Sequence, residues 1–309
     1  MIKFIIQRIL WAIPVLWLVA TVTFFLMHAA PGGPWDAKSA GQRQLDPALE
    51  ATFDRHYGLD KPLPQQYGIY LSNAVHFDFG SSYTQQGTSV VDVIMQGFPY
   101  SARIGVYALL LAVVSGVPIG VIAALKQNTV IDYASLLLAT VGYSLPSFVL
   151  AIFLLIIFAV QFPLVPVLFT DWRSYILPSV VLGLGSAAFL ARLTRASVLE
   201  IMRQDHVRTA RAKGLKHRRV IRRHIVRNGL IPVVTVLGPT LAGLITGTII
   251  VENVFGVPGM GHLFIQSINA RDYPVIMGTT LFYAAFIIVG NMLVDIAYGF
   301  VDPRIRTGA

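Results

Sequence analysis

Six long stretches of this chain carry no Asp, Glu, Lys or Arg: residues 9–30, 104–125, 133–160, 175–191, 229–251 and 273–294. Crossing a hydrocarbon layer about 30 Å thick takes about 20 helical residues. Five of the stretches reach that length, and the fourth reaches it if its helix runs past Arg192 with the guanidinium snorkelling toward the headgroups. In lipid each backbone N–H and C=O must be satisfied inside the protein, which leaves helices as the economical solution for segments of this length. The expectation is an all-α, polytopic membrane protein with six transmembrane helices.

Composition agrees. The chain is 55% hydrophobic and 13% charged, against about 45–50% and about 25% for soluble proteins. The first stretch follows Lys3 and Arg8 as a secretory signal would, but it exceeds a signal's apolar length and no A-x-A site closes it. Cysteine is absent, which excludes disulfides and thiolate chemistry and fixes no redox compartment.

Charge is concentrated in one place. Residues 192–227 hold half of the 24 Lys and Arg but only Glu200 and Asp205 among the acids, so the net +9 is local. Basic loops between membrane segments are retained on the cytoplasmic side. Lys3, Arg8, Lys126, Arg304 and Arg306 fall on that same side if the spans alternate. Both termini are then cytoplasmic, and the opposite side receives residues 31–103, 171–174 and 252–272. The basic block has no aromatic residue to stack on bases, which argues against nucleic acid as the partner.

The segment 31–103 reads as a small external subdomain. Asp46-Pro47 reads as an N-cap with proline at the first helical position and Gly58 as the stop. A second helix is expected over 65–75, with Asp78-Phe79-Gly80 turning the chain back. The expected segments are 1–30 (N-terminus and first span), 31–103 (external), 104–301 (five-helix core with the basic loop) and 302–309 (cytoplasmic tail).

Inside the spans, Gly116/Gly120 and Gly243/Gly247 are spaced to let helix backbones approach. Pro118, Pro146 and Pro239 free backbone carbonyls and mark bends toward protein or a watery cavity. Glu252 and Asp295 are costly against lipid, so each is read either as a pathway or gating contact or as a carboxylate paired with a base such as Arg103 or Arg271. His28 is expected to be a hydrogen-bonded residue near the membrane boundary. The seven histidines show no metal-site spacing.

Catalytic signatures fail. No glycine precedes a lysine, so the phosphate-binding loop of ATPases is absent, as are H-E-x-x-H and G-x-S-x-G. Gly183, Gly185 and Ala188 match the dinucleotide pattern but sit in an apolar span with no preceding strand.

Within the basic block, Asp205 is expected to cap a short helix that presents Val207, Ala210 and Gly214 on one side, with Gly214 ending it. Small residues on that side suit insertion into a partner's groove; the alternative is a loop anchored on anionic lipid. A second amphipathic stretch places Val220, Ile221, Ile225 and Val226 among arginines.

The run Arg208-Thr209-Ala210-Arg211-Ala212-Lys213-Gly214-Leu215, followed by Arg223-His224, Arg227-Asn228 and Leu230-Ile231-Pro232, resembles the cytoplasmic coupling loop of binding-protein-dependent ABC transporter permeases. The dipeptide/oligopeptide branch is the nearest in pattern. Further matches are Pro31-Gly32-Gly33-Pro34, Tyr57-Gly58-Leu59-Asp60-Lys61-Pro62, Asp78-Phe79-Gly80-Ser81-Ser82, Val251-Glu252, Phe255-Gly256, Pro258-Gly259-Met260-Gly261 and Asp302-Pro303-Arg304-Ile305-Arg306. Arg208 stands where the general loop has glutamate, as is usual in the peptide branch, and Gly33 where that branch often has aspartate.

The resemblance implies a type I ABC importer fold and a non-catalytic inner-membrane subunit working by alternating access. It implies a second homologous permease, one or two ATPase subunits that hold ATP and Mg, and an extracytoplasmic substrate-binding protein. Asp205, Arg208, Thr209, Ala210, Lys213 and Gly214 would form the ATPase-coupling element; Glu252, Asp295 and Pro146 are candidates for the pathway or its gate. No metal or cofactor is expected on this chain. Short peptides are the expected substrate, with nickel, glutathione or oligosaccharide importers of the same subgroup as the alternative. An ion channel, an intramembrane enzyme and a scaffold are readings from other classes, each separable by whether an ATPase copurifies.

Overall fold

The computed structural model describes residues 2–31, 33–35, 47–246 and 248–301, with side chains over 6–31, 33–35, 48–246 and 248–292. Among the described residues the regular elements are all helical, with one isolated bridge between Ser81 and Ser89. We number them α1 (Ile2–Ala29), α2 (Pro47–Tyr57), α3 (Leu63–Val75), α4 (Val90–Leu125), α5 (Val130–Ser144), α6 (Ser147–Leu155), α7 (Ile176–Met202), α8 (Asp205–Ala212), α9 (His217–Gly229), α10 (Ile231–Thr246), α11 (Ile249–Phe255), α12 (Met260–Asn269) and α13 (Tyr273–Val301).

Four helical segments are long and apolar enough to cross a membrane: Ile6–Ala29, Val90–Leu125, Trp172–Met202 and Tyr273–Met292. Two bent pairs bring the number to six if each is one span: α5 with 147–161 at 97°, and α9 with α10 at 43°. The expected count is met only in that way.

Of the three prolines expected to mark bends, Pro146 stands at a break between helices. Leu145 before Pro146 adopts an extended ψ of 125°, as the ring of a following proline favours, and the chain restarts as α6 in a new direction. Pro118 lies inside unbroken α4 and Pro239 inside unbroken α10, so proline alone does not fix where a span breaks. The second long helix begins at Val90, well before 104. The fifth expected span, 229–251, divides into the end of α9, α10 and the start of α11.

The described residues pack as two compact units, one within 101–257 and 289–301, the other within 2–100 and 258–288. The segments expected from sequence follow membrane sidedness, whereas the units follow packing.

The unit of 2–100 and 258–288 is built on aromatic contacts. Phe24, Trp35, Tyr83, Tyr273, Ile276 and Met277 are buried together, with Phe53, Tyr57, Tyr67 and Tyr70 packed on them. Each well-placed ring pair adds about 0.5–1.5 kcal/mol beyond area burial. The helix expected over 47–57 is present and Gly58 follows it at φ 70°, while α3 starts at Leu63, two residues before the expected 65. The Asp46 cap lies outside the described residues. Trp35 donates to Asp54 Oδ1 at 2.9 Å. The His28 ring nitrogens lie 2.8 Å from the Phe24 carbonyl oxygen and 3.2 Å from Gln66 Oε1, so His28 is hydrogen-bonded as expected.

Asp272 organises the second half of this unit. Fully buried, it accepts from the Ser82 hydroxyl at 2.5 Å, the Thr84 hydroxyl at 2.7 Å and the Thr84 N–H at 3.0 Å. Its other oxygen faces the Val275 N–H at 3.4 Å, the position of an N-cap for α13. Burial, with the Asp272 charge nearby, pushes the Tyr83 phenol well above its ordinary range.

The unit within 101–257 and 289–301 is built on small and aliphatic residues. A Cβ at Gly120 would stand 2.5 Å from the Ala191 carbonyl oxygen, and Gly116 meets Ala187 in the same way, so α4 and α7 approach backbone to backbone. The pair expected at Gly243/Gly247 does not repeat this: Gly243 has nothing within 4 Å of its would-be Cβ, and Gly247 lies outside the described residues.

Candidate functional site

Helix α8 begins after Gln204, whose extended backbone makes it the N-cap; Asp205 is the first helical residue and caps nothing. The correction is small in sequence but changes the chemistry. The Asp205 carboxylate is free of the backbone and stands beside Arg208 at 3.6 Å, both strongly exposed. A carboxylate in the first turn still interacts favourably with the helix dipole.

The end of α8 is fixed by backbone bonds. Gly214 sits at φ 71°, its N–H bonds to the Arg211 carbonyl at 2.9 Å, and the Leu215 N–H bonds to the Ala210 carbonyl at 3.4 Å. This is a Schellman motif with glycine in the left-handed position that a Cβ disfavours. Leu215 then folds back onto the same apolar cluster as Ala210, the hydrophobic contact that accompanies such caps.

One face of α8 is spent inside this chain. Val207 and Ala210, three residues apart, are buried with Ala124 at the end of α4, Val198 of α7, and Val220 and Ile225 of α9. Leu199, Ile201 and Met202 of α7 pack on the same cluster. Ala210 is 4% exposed, so its small size permits close approach to the ends of this chain's own long helices and not to a partner's groove. The face that remains outward carries His206, Arg208, Thr209, Arg211, Lys213 and Gly214, all exposed. Contrary to expectation, Gly214 does not join Val207 and Ala210 on the packed side: past the end of the helix it no longer follows the helical spacing. The Thr209 hydroxyl is turned to the Asp205 carbonyl at 2.9 Å.

The second amphipathic stretch forms α9 with an unforeseen winding. Ile221–Val226 is π-helical, and a π turn joins residues five apart. Val220 and Ile225 are five apart and both fully buried. Asn228 donates to His206 Nε2 at 3.3 Å, tying α9 to α8.

Two arginines of α7 hold the α5 region. Arg195 makes a two-pronged contact with Asp132, its Nη2 lying 2.7 Å from Oδ2, and the Asn128 N–H donates to the same carboxylate at 2.9 Å. Arg192 lies 4.5 Å over the Tyr143 ring. Sequence reading missed Asp132, because its partner is 63 positions away. The available signal was a lone acid at the start of an apolar stretch.

The pathway candidates are placed differently from one another. Pro146 stands at the 97° break between α5 and α6. Beside it a cavity of about 420 Å³ is lined by residues that include Gly142, Tyr143, Ser147, Gly185 and Ser186. Glu252 is fully buried in α11 and accepts from the Ser101 hydroxyl at 2.6 Å. Arg271 donates to the Gly33 carbonyl at 3.2 Å. Asp295 lies in α13, and its side chain falls outside the described residues, as does the tail 302–309.

The decoy Gly183-x-Gly185-x-x-Ala188 lies within α7, with no strand before it among the described residues. Both the sequence and the helical fold have counterparts among known proteins. Residues 116–307 match the profile of the binding-protein-dependent transport system inner membrane component, and residues 1–105 match the N-terminal profile of the same family. The chain is 44% identical over 310 residues to the dipeptide transport system permease protein DppB of Bacillus subtilis, covering 99% of this chain and 98% of the relative. It is 42% identical over 311 residues to the oligopeptide transport system permease protein OppB of Escherichia coli, covering 99% and 100%. Solved structures of an amino acid ABC transporter and of the MetNI methionine ABC transporter share its fold, with TM-scores of 0.53 and 0.52 at 18% and 17% identity. They cover 67% and 68% of this chain, and 92% and 95% of their own. The chain therefore belongs to the binding-protein-dependent transport system inner membrane components, the multi-pass permease subunits of ABC importers.

Proposed function

We propose that this chain carries short peptides across the cytoplasmic membrane, as one of two permease subunits driven by separate ATPases and fed by an external binding protein. The peptide assignment is supported by the names of two relatives that match from end to end. In this reading both termini and the basic loop face the cytoplasm, residues 31–103 face outward, and ATP with Mg is held by the partners.

One observation carries the mechanism. The charged outer face of α8 is available to an ATPase, while its inner face rests on the ends of α4 and α7 through Val207 and Ala210. Asp205, Arg208, Thr209, Lys213 and Gly214 form the contact; Ala210 transmits it. A push on α8 then moves α7, and the Arg195–Asp132 pair carries α5 with it. Loss of Arg195 would leave the buried Asp132 carboxylate without its charged partner, so the pair ties the two helices together. The break at Pro146 lets α6 take a different path from α5. The cavity beside it is the candidate pathway wall, with Glu252 and Asp295 as candidate gate residues.

Reconstitution with the second permease, the ATPases and the cognate binding protein tests this reading. ATP-dependent uptake of labelled di-, tri- and longer peptides is expected. Uptake of Ni²⁺, glutathione or an oligosaccharide with no competition by peptide would overturn the substrate assignment.

A further inference from the structure

Lys216, Arg218, Arg219, Arg222, Arg223 and Arg227 line one open cavity of about 680 Å³ along α9. All six side chains are exposed, and none is ion-paired among the described residues. The opposite side of α9 is apolar, with Val220, Ile225 and Gly229 buried. Six like charges crowded on one face repel one another, and a face so arranged calls for anions.

We infer that this face binds the phosphate groups of anionic lipid in the cytoplasmic leaflet. The inference rests on the cytoplasmic placement of the loop proposed above. Three observations favour lipid as the occupant. First, α9 leads into α10, and the uncharged run of that bent pair begins only after Arg227, which therefore stands at the edge of its apolar part. Second, the 43° bend between them turns α9 away from the α10 axis, toward the posture in which an amphipathic helix rests at an interface. Third, five of the six cations are arginine, whose planar fork meets phosphate oxygens two at a time. Half-buried Ile221 and Val226 lie among those guanidinium groups, offering apolar contact beside the charge. The π turn matters here: by adding a residue to one turn it keeps Val220 and Ile225 inward together and leaves Arg222 and Arg223 outward.

The consequence is regulatory. The helix that presents these arginines also packs on α8 through Val220 and Ile225, so headgroups held along α9 would steady the seat of the coupling helix.

The test uses the full-length chain in bilayers of phosphatidylcholine containing spin-labelled phosphatidylglycerol or spin-labelled phosphatidylcholine. The protein-immobilised fraction is expected to favour phosphatidylglycerol by roughly fivefold, and high salt should remove most of that preference. The variant Arg218→Gln/Arg219→Gln/Arg222→Gln/Arg223→Gln should lose the preference, whereas the same four positions changed to Lys should keep most of it. Equal immobilisation of the two lipids by the unaltered chain would overturn the inference. So would a glutamine variant that retains the preference, or displacement of the labelled lipid by inorganic phosphate at fixed ionic strength. Loss of the ATPase by the glutamine variant in pure phosphatidylcholine would assign this face to a protein partner and overturn it as well. The readout is lipid contact, so its failure leaves the transport reading separately testable.

Discussion

Helix α8 rests on valine, alanine and isoleucine, whereas α2 and α3 rest on tryptophan, tyrosine and phenylalanine. The charges differ as well. Around α8 they are exposed and mostly basic, while around Tyr83 the dominant charge is a single buried carboxylate satisfied by hydroxyl and amide donors. Small residues let a short helix sit close to the ends of α4 and α7 without locking it by interdigitated rings. Large rings with a buried polar anchor fix one arrangement, because each ring has few alternative positions in a close-packed interior. The packing around α8 therefore leaves more freedom to shift than the packing of the aromatic unit, which suits the coupling role proposed for α8.

The largest effect concerns the side of the membrane on which each region stands. With no native cysteine, Ser72→Cys and His217→Cys can be labelled singly by an impermeant thiol reagent. The two should be labelled from opposite sides, and labelling from the same side would break the comparison at its base.

Next in size is Ala210→Glu. The position is 4% exposed in a cluster of aliphatic side chains, and an unpaired buried carboxylate costs several kcal/mol even after relaxation. We expect α8 to leave its seat, with transport lost and the ATPase either released or uncoupled. Protease should cut near residue 210 while the aromatic unit stays resistant. Normal transport by this variant would remove α8 from the coupling route.

Asp272→Asn is expected to act in the other region only. The amide keeps one acceptor oxygen but turns donors toward the donors of Ser82 and Thr84, a loss of roughly 1–3 kcal/mol. Protease resistance of residues 47–83 should fall, and binding-protein-stimulated ATPase activity should fall with it. Copurification of the ATPase should be unchanged.

The smallest effect is alkaline loosening. Burial raises the phenols of Tyr70 and Tyr83 above their ordinary value, and the folded state therefore holds protons that the unfolded state would release. That contribution is complete below about pH 10 and is lost as pH rises through the raised folded values. Tyrosinate absorbance and protease sensitivity of residues 47–83 should rise together there. Residues 205–229 contain no tyrosine, so α8 has no matching transition.

Much of this was legible in sequence where the signal is local. The stop at Gly58, the helix over 47–57, the end of α8 at Gly214 and a close backbone approach at Gly116 and Gly120, though not the helix approached, each follow from residues a few positions apart. What was not legible depends on distant partners. The small face of α8 signalled close approach but not that the partner is this chain's own α4 and α7. Asp132 and Arg195 meet across 63 positions. Pro118, Pro146 and Pro239 look alike as letters, yet only the last turn of α5 gives way. The π turn in α9 defeats a 3.6-residue reading, which would point Val220 and Ile225 in different directions.

The central claim is that α8 has an inward face held by its own chain and an outward face covered by the ATPase. Val207→Cys and Thr209→Cys place one thiol on each face, since Val207 is fully buried and Thr209 is exposed. Their reaction rates with a membrane-impermeant maleimide, in inside-out vesicles with and without the assembled ATPase, measure both faces at once. The account predicts fast labelling at Thr209→Cys that the ATPase suppresses at least about tenfold, and negligible labelling at Val207→Cys in either condition. Fast labelling at Val207→Cys, or labelling at Thr209→Cys that the ATPase leaves unchanged, would contradict it.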